Sequence, residues 1–163
     1  MTNAALLSLG GNVGDRKATM DAAVSRLAAL PGTSVTARSS YYRTEPVGPV
    51  AQPWFLNIAV AVSTGLSAEA LAAACRDIET ALGRDRSREI DWGPRPIDID
   101  VVAFGTVAEM HPTGGSLDAR AFVLVPLAEI APAVRVGGHT VAEHARGLDP
   151  AGVTRLDWPV PSP

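Results

Sequence analysis

The sequence predicts an α+β fold of the ferredoxin-like kind, a mostly antiparallel four-stranded sheet with helices packed on one face. Segments with the two-residue period of strands alternate with helical segments in the order β-α-β-β-α-β, and glycine or proline separates them. A chain of 163 residues, 47% of them hydrophobic, is long enough to bury one core. We expect residues 1–163 to form one domain, with a loosely held, proline-rich tail at 158–163.

Composition and charge narrow the class of protein. The net charge of −3 and a pI near 5.5 disfavour binding to nucleic acids or to membrane surfaces. The single cysteine, Cys75, has no partner for an internal disulfide and lies among alanines, which favours a small core residue. No secretion signal or long apolar run opens the sequence. We expect a cytoplasmic protein.

Each element follows from a local pattern. A short apolar run predicts the first strand, and a glycine-rich loop then leads into a helix that Pro31 and Gly32 end. Ser67 is positioned to cap the second helix, and Gly83 follows it. The predicted strands are 4–9, 33–42, 55–62 and 97–102, and the predicted helices are 16–30, 67–82 and 141–148. Between them, 43–53 and 106–117 are predicted loops, and prolines are expected to interrupt the apolar run 121–127.

The last predicted strand carries the strongest functional signal. Asp98 and Asp100 alternate with Ile97, Ile99 and Val101, so both carboxylates project from one face of the strand. Carboxylates about 7 Å apart repel each other unless a cation is near. Mg²⁺ takes oxygen ligands, typically one or two carboxylates completed by water and phosphate oxygens. The pair is therefore a candidate magnesium site.

Arginines are concentrated just upstream of this strand. Guanidinium groups bind phosphates in a bidentate manner, so an acidic strand beside a basic loop indicates a site for a metal and a polyphosphate. The alternative interpretation is a solvated charged surface. The two-residue spacing of the aspartates and the density of arginines together favour the functional site over this alternative. The four arginines are Arg84, Arg86, Arg88 and Arg95.

A second candidate site lies around Asn57. This residue is the one amide in the apolar strand 55–62, and if buried it needs either backbone partners or a polar ligand. Three prolines and a glycine make the preceding loop 43–53 structured, and such loops often carry function. A structural role and a ligand-binding role for Asn57 both stay open on these grounds.

With these segments identified, the chain resembles the 6-hydroxymethyl-7,8-dihydropterin pyrophosphokinase (HPPK) family of folate biosynthesis over residues 6–132. The most specific match is the run 92–100, Trp-Gly-Pro-Arg-Pro-Ile-Asp-Ile-Asp. Further matches are the glycine loop with its strand at 8–16, the runs 42–44 and 55–57, Gly48-Pro49, Gln52-Pro53, and the block 120–127.

The resemblance implies a Mg²⁺-dependent diphosphotransferase that moves diphosphate from ATP to the hydroxymethyl oxygen of a reduced pterin and releases AMP. It implies two Mg²⁺ ions at Asp98 and Asp100, which share the catalytic role with Arg84 and Arg95. The implied nucleotide-binding residues are Glu79, Arg84, Arg86, Arg88, Trp92, Arg95, Val101 and Arg120. The implied pterin-binding residues are Thr44, Glu45, Val47, Phe55, Asn57 and Phe122, with the two phenylalanines as plates on either side of the ring. The expected partners are these two small molecules, and the expected state is a monomer.

The chain departs from the family pattern at two places. Asp91 stands where the family usually has a basic residue, which should weaken ATP binding unless Arg88 compensates. His111 lies nine residues before Arg120, whereas the family's loop histidine commonly lies six before it. These departures keep open an HPPK-fold protein that binds or modifies another heterocycle without diphosphate transfer. A metal-dependent phosphohydrolase built on the same carboxylate pair is a further alternative, for which no base for water is evident.

Overall fold

The computed structural model describes residues 2–113, 117 and 120–162. The strands are β1 (Asn3–Gly11), β2 (Thr33–Arg38), β3 (Tyr42–Thr44), β4 (Phe55–Thr64), β5 (Asp98–Gly105), β6 (Met110–Pro112), β7 (Arg135–Val136), β8 (His139–Thr140) and β9 (Val153–Arg155). The α-helices are α1 (Arg16–Ala28), α2 (Ala68–Ala81), α3 (Ala121–Ile130) and α4 (Val141–Ala145), and a 3₁₀ helix spans Arg86–Arg88.

Within the described ranges, nine strands form one mixed sheet. Its order is β8-β7-β6-β5-β1-β4-β3-β9, and β2 also pairs with β4. The β6–β7 pair is parallel and the others are antiparallel. The α+β class is confirmed, but the four-stranded sheet was wrong because short strands extend it on both sides. As predicted, the strands with Asn57 and with the aspartate pair are central, one on each side of β1.

Both faces of the sheet are covered by helices. On one face, Leu7 and Ile58 pack with α1 and α2. On the other, Leu6 and Ala59 pack with Leu124 of α3 and with α4. The expectation that helices lie on one face was therefore wrong. The central strand β1 is buried on both sides, which is why Ser8 is the one polar residue between Ala4 and Gly11.

The first two helices begin where the sequence predicts. The side chain of Asp15 accepts a hydrogen bond from the backbone N–H of Ala18, and Ser67 does the same for Ala70. The first helix ends two residues before the predicted Leu30. Gly83, with φ of 102°, allows the chain to turn after α2 into the arginine loop.

The third helix corrects the prediction that prolines interrupt the run 121–127. Helix α3 passes through Pro126 without ending. Proline removes one backbone donor from the helix. Here Pro126 is buried beside Leu124 and Leu127, and this apolar packing against the sheet offsets the lost hydrogen bond. The last predicted helix is shorter than expected, since α4 ends at Ala145.

Two other predicted segments differ from the structure. The strand predicted at 33–42 is divided into β2 and β3, because Ser39 lies between them and its hydroxyl accepts the N–H of Ala59 at 2.8 Å. The loop predicted at 106–117 contains β6, whereas Gly114 and Gly115 lie outside the described residues. The single domain with a loosely held tail stays a prediction, to which the structure adds that the Trp158 ring lies 5.5 Å from that of Tyr41.

The predicted core role of Cys75 is confirmed. The residue is buried, and loss of hydration raises the pKa of its thiol to about 12. The thiol therefore stays protonated at neutral pH. None of the described helices has the length and apolar character needed to span a membrane.

Candidate active site

One face of the three central strands carries the predicted site residues in register. Gly10 on β1 is paired with Asp98 on β5 and with Asn57 on β4. Ser8, two residues earlier, is paired with Asp100. Directly paired residues in antiparallel strands point to the same face, so the acidic pair and the Asn57 amide share a face and only a glycine separates them.

Gly10 is needed at this position for space. A Cβ atom placed on it would lie 2.3 Å from Oδ1 of Asn57. Asn57, Gly10 and Asp98 form a row across the three strands, which we call the Asn57 row. A side chain at Gly10 would push the Asn57 amide out of this row and fill the gap between the amide and Asp98. Gly10 lies at the end of β1, where the glycine loop begins, and its contribution to the site is the space that it leaves beside Asn57.

The aspartate pair has the electrostatics of a cation site. The Asp98 side chain is 32% exposed, and Asp100 is exposed at the edge of β5. Although solvent reaches Asp100, protein atoms around its carboxylate reduce its hydration, and together with the nearby charge of Asp98 this raises the pKa of Asp100 to about 6. Arg120 at the start of α3 opposes this shift with its positive charge. Loss of hydration and the neighbouring charge of Asp98 both disfavour the ionised form of Asp100, and a bound cation would offset both effects.

The donor set of this pair fits Mg²⁺. Its ligands are two hard carboxylate oxygen donors, and β-sheet pairing fixes the strand that carries them. The described residues contain no group of three or more His, Cys, Asp or Glu side chains that could hold a metal by themselves. A cation here would complete its coordination with water or with a ligand's oxygens, which is the usual situation for Mg²⁺.

Arg84 is held differently from the free phosphate clamp that the sequence suggested. Its side chain is only 3% exposed. Nη1 donates to Oε2 of Glu79 at 3.0 Å and to Oδ1 of Asp98 at 2.9 Å, and Nε and Nη2 form a bidentate pair with Glu89 at 2.8 and 3.0 Å. These carboxylates raise the pKa of Arg84 although burial lowers it. In this arrangement Arg84 positions Asp98 and has no open edge for phosphate.

Glu79 is a buried anchor below the site. Its side chain is 2% exposed, and it accepts hydrogen bonds from Arg84, from Nη2 of Arg86 and from the backbone N–H of Ile99. That N–H lies on the outer edge of β5, where β6 does not yet pair with it. Glu79 thus satisfies an open strand edge and fixes two of the predicted arginines.

A cavity of about 460 Å³ lies above Arg84, and its lining includes Arg86, Arg95 and Trp92. Trp92 has φ of 63°, the left-handed value that non-glycine residues rarely adopt, and 62% of it is exposed. The remaining lining residues are Glu89, Ile90 and Asp91. Arg88 does not line the cavity, since its side chain is 87% exposed and pairs with Asp85.

A second cavity of about 370 Å³ adjoins the acidic pair on the α2 side. Its lining includes Asp100, Val101, Glu79 and Arg86, and Arg86 also lines the first cavity. Thr113, which the sequence analysis missed, also lines it and donates its hydroxyl hydrogen bond to the Val101 carbonyl. No sequence pattern marks this threonine.

The predicted pterin residues divide into two groups. Asn57 is 5% exposed, and its amide donates to the hydroxyl of Thr44, which is itself buried. Phe55 and Phe122 are both partly buried, at the start of β4 and in the first turn of α3. Glu45 and Val47 are instead exposed, and Glu45 pairs with Arg43.

Asn12 connects the two halves of the site and was missed in the sequence. Its buried side chain donates to Oε1 of Gln52 at 3.0 Å and to the carbonyl of Pro53 at 2.9 Å, and accepts the N–H of Arg95 at 3.0 Å. Gln52 in turn donates to the carbonyl of Trp92. The available sequence signal was the position of Asn12 in a glycine-rich loop, since asparagine side chains in loops often form hydrogen bonds with backbone groups.

Two carboxylates and a buried amide share one face of the sheet, and guanidinium groups and two cavities lie beside the carboxylates. This combination is typical of enzymes that transfer phosphoryl or diphosphoryl groups from a metal-bound polyphosphate. Comparison with known proteins specifies this class further. Residues 6–132 match the family described as 7,8-dihydro-6-hydroxymethylpterin-pyrophosphokinase (HPPK). The chain belongs to this family.

Two relatives agree with this assignment, and a solved structure shares the fold. The chain is 50% identical to a 2-amino-4-hydroxy-6-hydroxymethyldihydropteridine pyrophosphokinase of Methylorubrum extorquens, over 94% of this chain and 98% of the relative. It is 40% identical to the protein of that name from Bacillus subtilis, over 80% and 79%. The fold matches Plasmodium falciparum HPPK-DHPS crystallised with pteroate, with a TM-score of 0.65 and 14% identity, over 89% of this chain but only 42% of that longer one.

Proposed function

We propose that this chain transfers diphosphate from ATP to the hydroxymethyl group of 6-hydroxymethyl-7,8-dihydropterin and releases AMP. The hydroxymethyl oxygen forms a bond to the β-phosphorus, and the bond from that phosphorus to the oxygen bridging it to the α-phosphate breaks. The hydroxyl proton passes to water, and AMP leaves with the bridging oxygen. No covalent intermediate on the protein is needed, because alignment of the two substrates supplies much of the rate.

The observation that carries this proposal is the aspartate pair in a chain of this family. Asp98 and Asp100 project from one face of β5, and a bound cation would offset the lost hydration and the Asp98 charge that raise the pKa of Asp100. We propose that these residues hold two Mg²⁺ ions. When bound, Mg²⁺ screens the triphosphate and stabilises charge on the leaving oxygen.

The chain's own residues orient the nucleotide. Glu79 and Asp98 fix Arg84 at the base of the first cavity, and Arg86 and Arg95 line the walls where phosphate oxygens would lie. The second cavity continues from Asp100 past Val101 and is of a suitable size for the nucleoside. We propose that the nucleoside lies in the second cavity and the phosphates in the first, with the acidic pair between them.

The heterocycle would bind on the Asn57 side of the row. Because the Asn57 amide donates to Thr44, its carbonyl oxygen faces the gap above Gly10, where a ring N–H could donate to it. Phe55 and Phe122 supply aromatic surface at the start of β4 and of α3. The hydroxymethyl group would then point along the row toward Asp98.

The test is a product assay with ATP and Mg²⁺, with and without 6-hydroxymethyl-7,8-dihydropterin, that separates AMP, ADP and phosphate. The proposal predicts AMP that requires the heterocycle. Heterocycle binding without AMP would instead support a repurposed binding protein, and phosphate release without an acceptor would support a hydrolase.

We also propose that the chain works as a monomer in the cytoplasm on these two small molecules, without nucleic acid or membrane partners. Light scattering at assay concentration tests the oligomeric state, and a stable dimer would contradict it.

A further inference from the structure

The pairing of Arg84 with Glu89 raises a problem for nucleotide binding. Arg84 directs Nη1 toward the protein interior, where it bonds Glu79, Asp98 and the carbonyl of Ile97. The opposite edge, formed by Nε and Nη2, is covered by Glu89. A phosphate that reaches Arg84 has only this second edge to bind.

Both partners line the first cavity, so Glu89 lies where a phosphate would enter. A planar carboxylate and a phosphate make the same bidentate contact with a guanidinium group. Since one edge accepts one such partner at a time, the two anions exclude each other. Glu89 therefore occupies a phosphate position with a group of the protein itself.

Glu89 is also the partner that can leave most easily. Glu79 is buried in α2 and Asp98 is held in β5, whereas Glu89 follows the short 3₁₀ helix in extended backbone. Its side chain is 16% exposed, and among the described residues its carboxylate bonds only Arg84. Swinging it outward breaks one pair and leaves the anchors in place.

We propose that Glu89 competes with the nucleotide's phosphate for the Nε–Nη2 edge of Arg84 and thereby sets nucleotide affinity. This rests on the proposed function, since the competing ligand is a nucleoside triphosphate. Each binding event must exchange an internal carboxylate for an external phosphate, so part of the binding free energy is used to displace Glu89. The exchange also discriminates against weakly binding anions, because their contact with Arg84 does not offset the free energy lost when the Arg84–Glu89 pair breaks.

Glu89→Gln tests this with little change in shape. Calorimetric titration with Mg²⁺ and the α,β-methylene analogue of ATP, which lacks the bond that is cleaved, measures affinity without turnover. We expect the variant to bind the analogue roughly tenfold more tightly, because a charge-assisted bidentate pair no longer has to be broken. Glu89→Ala should change affinity in the same direction, and thermal unfolding verifies that both variants are folded.

Asp91→Asn is the matched control, since Asp91 lines the same cavity but does not cover Arg84. It removes the same charge, so we expect at most about threefold tighter binding from electrostatics alone. Equal tightening in Asp91→Asn and Glu89→Gln, or unchanged or weaker binding in Glu89→Gln, would overturn the competition. Wild-type protein that binds no analogue would overturn it together with the proposed function, whereas analogue binding with no AMP formation contradicts the proposed function alone.

Discussion

The side-chain oxygen of Asn12 accepts the backbone N–H of Arg95 at 3.0 Å, and the backbone N–H of Asn12 donates to the carbonyl of Arg95 at the same distance. This two-way contact holds the arginine loop against the end of β1. The amide nitrogen of Asn12 bonds the segment of Gln52 and Pro53, which leads into β4. One buried side chain thus sets the relative position of the arginine loop and of the loop that precedes β4.

Asn12→Asp should therefore disturb both substrates together. The variant keeps the acceptor for Arg95 but turns a carboxylate toward the Pro53 carbonyl, and we expect about 2–3 kcal/mol of lost stability from these unpaired buried groups. Steady-state kinetics should show higher KM values for ATP and for the pterin as well as a lower kcat.

Asn3→Asp is the control, because the Asn3 amide bonds the Leu66 carbonyl far from the site. It should alter thermal stability without changing either KM. Unchanged kinetics in Asn12→Asp would show that Asn12 has only a folding role.

Gly10→Ala should remove heterocycle binding more than nucleotide binding. The new methyl group would collide with Asn57 Oδ1, and overpacking of this kind costs about 1–3 kcal/mol. We expect the Kd for the pterin to rise far more than the Kd for the ATP analogue. The matched control is Gly65→Ala, since a Cβ at Gly65 meets nothing within 4 Å. Equal effects on both ligands would contradict the role of the Asn57 row.

The aromatic residues should affect only the heterocycle. Phe55→Leu and Phe122→Leu each lose ring contact worth about 0.5–1.5 kcal/mol, so we expect the KM for the pterin to rise by roughly 3- to 10-fold and the KM for ATP to stay constant. Phe104→Leu is the control, since Phe104 lies at the opposite end of β5. A higher KM for ATP in Phe122→Leu would place the ring in the nucleotide site instead.

Asp100→Asn should abolish turnover and stabilise the metal-free protein in a pH-dependent manner. The pKa of Asp100 is raised to about 6 in the folded state, above the ordinary aspartate value. The folded state therefore binds the extra proton between about pH 4 and 6, and the stability from this group is complete below that range and lost as the pH rises through 6.

Denaturant titrations at pH 4 and pH 7.5 measure this effect. The variant should gain roughly 1 kcal/mol over wild type at pH 7.5, a figure reduced for solvent screening because Asp100 is exposed, and nothing at pH 4. Saturating Mg²⁺ should stabilise the wild-type protein at pH 7.5 and not the variant. A loss of stability at pH 7.5 would show that Asp100 is a structural residue.

The parts of the fold that the sequence predicted are those with a repeating pattern. The alternation around Asp98 and the apolar run before Gly10 mark β5 and β1, because burial of one or two faces dictates their composition. The short strands β7, β8 and β9 are two or three residues long and carry no period. Long-range pairing alone defines them, so sequence patterns could not predict them.

The candidate site shows the same limit for side chains. The acidic pair and the position of Asn57 followed from spacing, and the structure brings them to one face. The spacing also suggested that Arg84 is free for phosphate. Its partners Glu79 and Glu89 are each five residues away, but they reach it through the turn at Gly83 and the 3₁₀ helix, which no repeating pattern marks. Asn12 was missed because its partners lie some 40 and 83 residues away.

The fate of the β-phosphorus tests the central claim most directly. In a reaction of ATP labelled at that atom with 6-hydroxymethyl-7,8-dihydropterin and Mg²⁺, the account predicts that the label moves with the γ-phosphate into the heterocycle product while unlabelled AMP forms in equal amount. Label retained in ADP, or heterocycle that gains only one phosphate, would contradict it.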